Sequence, residues 1–103
     1  MRMMLKVSIP VDMGNAAARD GSLGRKVQSI LADLKPEAAY FTDNDGKRAG
    51  YIFFDMKDTS QMTAAAEPWF LAFNASVEFK PVMNPDDLAK GEQDIDGAVK
   101  KYG

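Results

Sequence analysis

The segment Gly50-Tyr51-Ile52-Phe53-Phe54-Asp55-Met56 is apolar on both of its alternating faces. A strand of that kind is buried on two sides, so the fold must bring cover to both faces of it. The chain has 103 residues and no linker, internal repeat or low-complexity tract, which makes residues 1–103 one domain. A domain of that length buries roughly 65% of its unfolded surface, enough for a core without covalent staples.

The other elements are set by period. Met4 to Ile9 alternates, with Leu5, Val7 and Ile9 on one face and Met4, Lys6 and Ser8 on the other, and Pro10 ends the strand. Residues 15–20 read as a short polar helical turn broken at Gly21, with Ser22 placed to cap the next helix. Leu23, Val27, Ile30, Leu31 and Leu34 form one helical stripe that stops at Lys35-Pro36. Residues 37–43 and 49–56 make a hairpin around Asp43-Asn44-Asp45-Gly46-Lys47, whose residues tolerate positive φ. A second helix starts at Asp58 or Thr59, with Gln61 closing a capping box on Asp58. It carries Met62, Ala65, Ala66, Trp69, Phe70 and Phe73 on one face, Pro68 should kink or split it, and Asn74 caps its end. Residues 76–82 alternate as a last strand. Residues 1–83 are thus the core and 84–103 a helical tail, with Asn84 as cap, Pro85 at the first helical position and only a short or frayed helix beyond Gly91.

Strand, helix, strand, strand, helix, strand is the order of the ferredoxin-like βαββαβ unit. That is an α+β fold with a four-stranded antiparallel sheet and both helices on one face, here with an extra C-terminal helix. The helix-facing set is Leu5, Val7, Ile9, Ile52, Phe54, Val77 and Phe79. The opposite face carries Lys6 and Ser8, then Tyr51, Phe53 and Asp55, then Glu78 and Lys80. The register of residues 37–43 adds to it either Tyr40 and Thr42 or Ala39 and Phe41. Such a face is too aromatic for a fully solvated sheet and too charged for a dry core. Two sheets packed face to face in a homodimer make a partly polar chamber that suits both facts.

The element order, with Gly50-Tyr51-Ile52-Phe53-Phe54-Asp55, Glu67-Pro68-Trp69-Phe70 and Val77-Glu78-Phe79-Lys80-Pro81-Val82-Met83, resembles small bacterial proteins of the dimeric α/β-barrel superfamily. The likeness covers nearly the whole chain and its motifs are structural. It implies a ferredoxin-like protomer, a homodimer and a ligand-sized cavity between the sheets. Cofactor-free monooxygenases, lactone isomerases and haem-degrading enzymes are among that superfamily. The chain has no histidine, so its histidine-dependent members cannot lend their mechanism.

Absences narrow the chemistry further. With no cysteine and no histidine, disulfides, thiolate metal sites, thiol nucleophiles and Ser-His-Asp triads all fall away, and neither a metal nor a cofactor is expected. A net charge of -2 argues against a nucleic-acid partner, and no apolar run approaches the roughly 18 residues of a membrane span. Met1 to Lys6 is too short an apolar stretch for a signal peptide, and a cytoplasmic protein is expected. Gly21-Ser22-Leu23-Gly24-Arg25-Lys26 has the wrong spacing for a phosphate loop, which also weakens a nucleotidyl-transfer or ligase reading, and Asp43-Asn44-Asp45-Gly46 lacks a calcium loop's final acid.

The candidate ligand cavity is therefore Lys6, Ser8, Tyr40, Tyr51, Phe53, Asp55, Glu78 and Lys80, with no catalytic residue assigned. Lys6 and Lys80 can fix a carboxylate or enolate, although a cross-strand ion pair with Glu78 is the plainer reading. Asp55, beside Tyr51 and Phe53, can have its pKa raised and act as a base, although aspartates at strand ends are more often turn formers. Trp69 can stack on a ligand and Arg48 or Arg25 can clamp an anion, set against a core role for Trp69 and solvation of Arg48. The expected function is small-molecule binding between two sheets. Cofactor-free oxygenation or isomerisation, and a purely structural dimerisation module, are the alternatives.

Overall fold

The computed structural model describes residues 1–103. Strand β1 (Arg2–Ser8) is followed by helices α1 (Val11–Arg19) and α2 (Leu23–Leu34), then by strands β2 (Ala38–Asn44) and β3 (Lys47–Asp55). Helix α3 (Gln61–Phe73), strand β4 (Ser76–Pro81) and helices α4 (Pro85–Lys90) and α5 (Glu92–Tyr102) complete the chain. The strands form one antiparallel sheet in the order β2-β3-β1-β4, the ferredoxin-like arrangement.

Register is dictated by side-chain alternation. Leu5 pairs with Ile52 on one side and Phe79 on the other, and these face the helices. Leu5 and Ile52 are fully buried, Val7, Ile9 and Phe54 nearly so, and Val77 and Phe79 pack partly exposed at the β4 edge. Trp69 and Phe73 from α3 complete the core, their rings stacked 6.2 Å apart. Met62 and Phe70, expected on the same stripe, lie at the exposed margin of α3.

The turn chemistry differs from expectation in ways that have local causes. The hairpin closes on two residues, Asp45 and Gly46, both at positive φ, so its strands run closer to the turn than residues 43 and 49. Such a turn matches strand twist and leaves the register of β2 no freedom. It puts Tyr40 opposite Tyr51 and Phe41 opposite Gly50. The first helix starts at Val11, directly after Pro10, and contains the buried Gly14. Ser22 makes no side-chain cap to α2; its N–H instead donates to Asp20 Oδ1 at 2.8 Å. The capping box on Asp58 is not formed either. Asp58 Oδ1 accepts from the Ser60 N–H, Gln61 Oε1 accepts from the Lys57 N–H, and α3 begins later, at Gln61. Pro68 lies within α3, which runs through it as a single helix.

The tail is longer and more regular than expected. Asn84 and Asp87 form a capping box with Pro85 at the first turn, and α5 spans 11 residues in place of a short or frayed helix. It adds no buried residue to the core: Leu88, Ile95, Val99 and Tyr102 are all exposed. The radius of gyration, 17.3 Å, exceeds the roughly 13 Å of a compact chain this long, and the molecule extends over 60 Å. The helical tail is an arm standing off the body.

Phe73→Ala should destabilise the protein by about 3–5 kcal/mol, since it empties a core position with no exposure. Leu88→Ala in the arm should change stability by less than about 0.5 kcal/mol in the isolated chain. Urea unfolding of the two variants checks the contrast.

Candidate functional site

The sheet has a second face, and its composition is read directly from the register. One cross-sheet row is Tyr40, Tyr51, Lys6 and Glu78; the next is Ala38, Phe53, Met4 and Lys80. Ser8 stands one row toward the hairpin turn, between Ala49 and Ser76, and Asp55 one row the other way, opposite Arg2. All eight candidate residues thus share the face turned away from α2 and α3. The two-residue turn selects Tyr40 and Thr42 for this face and sends Ala39 and Phe41 to the helix side.

No element of the chain covers this face. Lys6, Ser8, Tyr51 and Phe53 are half-buried by their neighbours, whereas Tyr40, Asp55, Glu78 and Lys80 are exposed. The Tyr40 ring stands edge-on to Phe53, with centroids 6.5 Å apart. Asn44 donates to Ser8 Oγ at 3.1 Å, tying the hairpin end to β1. A depression bounded by Lys6, Ser8, Asn44, Ser76 and Glu78 holds about 30 Å³, room for one water molecule.

Two expectations about charge are corrected. Lys6 and Glu78 are register partners, yet the ion pairs of this chain are elsewhere: Met1 with Asp55 and Arg2 with Glu37. Lys6 and Glu78 therefore face each other without closing an ion pair. Asp55, in turn, does not have a raised pKa. Its Oδ1 accepts from the Met1 ammonium at 2.7 Å, and that hydrogen bond and charge hold the carboxyl below its ordinary value. A carboxylate stabilised as the anion is a poorer base, so Asp55 is not prepared for proton abstraction. Arg2, whose pKa Glu37 raises by hydrogen bond and charge, completes a self-paired polar rim at this end of the sheet.

The concavity with the most apolar lining lies on the other side. It opens between α2 and the β2–β3 hairpin, holds about 580 Å³, and is walled by Val27, Leu31, Phe41, Arg48, Gly50 and Trp69 among others. Periodicity gives no sign of it. Of the four glycines inside regular elements, Gly14 in α1 and Gly50 in β3 are the two that abut other side chains, and they are the available signal. Trp69 is 1% exposed, as a core residue should be, and its indole N–H has no partner in the chain.

No protein-family model matches the chain, and no curated protein matches it. Among solved structures the chain is similar to a formyltetrahydrofolate deformylase from Pseudomonas putida KT2440, with 16% sequence identity and a TM-score of 0.49. The match covers 80% of this chain and 29% of that one, so the chain spans less than a third of the enzyme's length, and nothing about function is carried over from it.

The Asp55 carboxyl should titrate below a solvated aspartate in a carbon-detected NMR titration. Because its folded pKa is the lower one, the contact adds stability at neutral pH and loses it as pH falls through that lowered pKa. Acetylating the amino terminus should move the titration upward, toward the ordinary value, since the Met1 ammonium is the main cause of the lowering.

Proposed function

We propose that this chain is a homodimeric small-molecule-binding protein of the dimeric α/β-barrel type, in which two copies pair through the face that carries Lys6, Tyr40, Tyr51, Phe53, Glu78 and Lys80. The observation that carries the reading is the continuity of that face: aromatic side chains and lysines that close no ion pair, in adjacent rows, with nothing from the same chain over them. Pairing of like faces about a two-fold axis covers them without a separate partner. The arm supports the same reading, since the apolar side chains of α4 and α5 find no cover within their own chain.

Between two such faces the lysines supply cations and the rings supply flat apolar walls, a combination suited to a small organic anion. Ser8 and Asp55 sit at the margins of that space. Binding is favoured over catalysis because Asp55 is held as a weak base and no histidine is available to move a proton. The absence of cysteine fits a reducing, cytoplasmic setting, and no helix is long and apolar enough to cross a membrane. A second reading, in which the face serves pairing alone, is favoured by the small size of the depression beside Lys6, about 30 Å³.

Light scattering on the full chain should give the mass of two copies. Tyr51→Asp should raise the dimer dissociation constant at least about tenfold, because it brings a desolvated charge to the centre of the interface. Native mass spectrometry then separates the two readings: a retained organic mass lost in the Lys6→Ala, Lys80→Ala variant indicates binding, and a bare dimer indicates pairing alone. A monomer at every concentration rejects both.

A further inference from the structure

The cleft between α2 and the β2–β3 hairpin is on the opposite side of the sheet from the pairing face, and its properties do not depend on whether two copies pair. Its walls are mostly apolar, and its volume, about 580 Å³, is in the range of small-molecule sites. One cation stands in the wall. Arg48 donates from Nη1 to Asn15 Oδ1 at 3.0 Å, a neutral acceptor that orients the guanidinium, and its cross-strand neighbour Asp43 closes no salt bridge with it. No carboxylate of the chain pairs with it.

Room for these walls is made by glycine. A Cβ on Gly14 would lie 2.7 Å from Arg48 Nη1, so the guanidinium occupies the space that any other residue in α1 would fill. A Cβ on Gly50 would lie 3.1 Å from Phe41 Cε1, so the Phe41 ring lies down on the strand for the same reason. Phe41 keeps 57% of its surface exposed even so. Both glycines are in positions that regular structure disfavours, and both serve a cleft wall. Trp69, in the same wall, holds the unpartnered indole N–H.

We propose that this cleft binds a small carboxylic acid with an apolar body, its carboxylate held by Arg48 and its body seated between Phe41 and the α2 side chains Val27 and Leu31. Guanidinium recognises carboxylate through two parallel N–H donors, and the apolar walls take the body of the acid. Trp69 lies in the wall and reports on occupancy.

The full chain has a single tryptophan, so one indole N–H resonance reports on a residue of the cleft wall. Titration with 3-phenylpropionate should shift that resonance saturably, and 3-phenylpropanol, the same body without charge, should bind about tenfold more weakly. Arg48→Ala should erase the preference for the acid, and Arg48→Lys should restore part of it. Gly14→Ala should also erase it, by pushing the guanidinium aside, while leaving thermal stability unchanged or higher because alanine is the better helix former. An indole resonance that does not saturate with the acid, equal affinity for acid and alcohol, or an Arg48→Ala variant that keeps the preference would each overturn the proposal. None of these outcomes depends on the oligomeric state, so they stand apart from the test of the pairing face.

Discussion

A four-stranded sheet has two faces, and this chain has helices for one. The opposition of Leu5 to Ile52 and of Lys6 to Tyr51 in the β1–β3 ladder decides which side chains meet the helices and which do not. A slip of one residue would exchange the two sets completely. Because Leu5, Ile52 and Phe54 are buried while Lys6 carries a charge, only one register is compatible with a core. Every later feature, from the aromatic-lysine face to the cleft under α2, inherits its position from that ladder.

What pattern alone can show is visible in these same residues. Strict alternation in β1 and the 3.6-residue stripe of α2 make the sheet face and the α2 packing face readable, because each is a local property. Residues 38–43, Ala-Ala-Tyr-Phe-Thr-Asp, have no clear alternation, and their register comes from the turn at Asp45-Gly46. The pKa of Asp55 escapes local reading for a related reason. Its neighbours in sequence are aromatic, but the group that governs it, the Met1 ammonium, is 54 residues away. The helix starts near Ser22 and Asp58 depart from expectation through a shared cause: short polar side chains have several nearby backbone N–H groups to choose from, and the turn geometry decides among them. The length of α5 is hidden because its apolar residues, Ile95, Val99 and Tyr102, gain no burial within the chain.

The two sides of the sheet are built on different terms. The open face combines rings with Lys6 and Lys80 in adjacent rows, a composition that needs cover yet tolerates water. The cleft side is nearly all apolar, with its cation at one wall. A surface of the first kind suits an interface, where charged side chains can remain at a wet rim. A concavity of the second kind suits a ligand small enough to be enclosed by one helix and one hairpin. The projecting α4–α5 arm resembles the open face in this respect, since its capping box and proline start are locally encoded while its apolar stripe is left exposed.

Glycine inside a regular element is the most telling departure from local preference in this molecule. Gly14 sits within α1, where alanine would be more favourable by about 1 kcal/mol, and its φ does not require glycine. Gly50 sits in mid-strand, where it offers no side chain to pack. Neither position is a turn, so conformational freedom does not account for either. Space does: each glycine leaves the volume that a wall of the same cleft occupies, Arg48 in one case and Phe41 in the other. Trp69, whose N–H is an unpartnered donor costing about 1–3 kcal/mol, lines the same cleft. Three local penalties that converge on one concavity are poorly explained by folding alone, because each would be relieved by an ordinary substitution or partner, and they are coherent if the concavity itself is what the chain maintains.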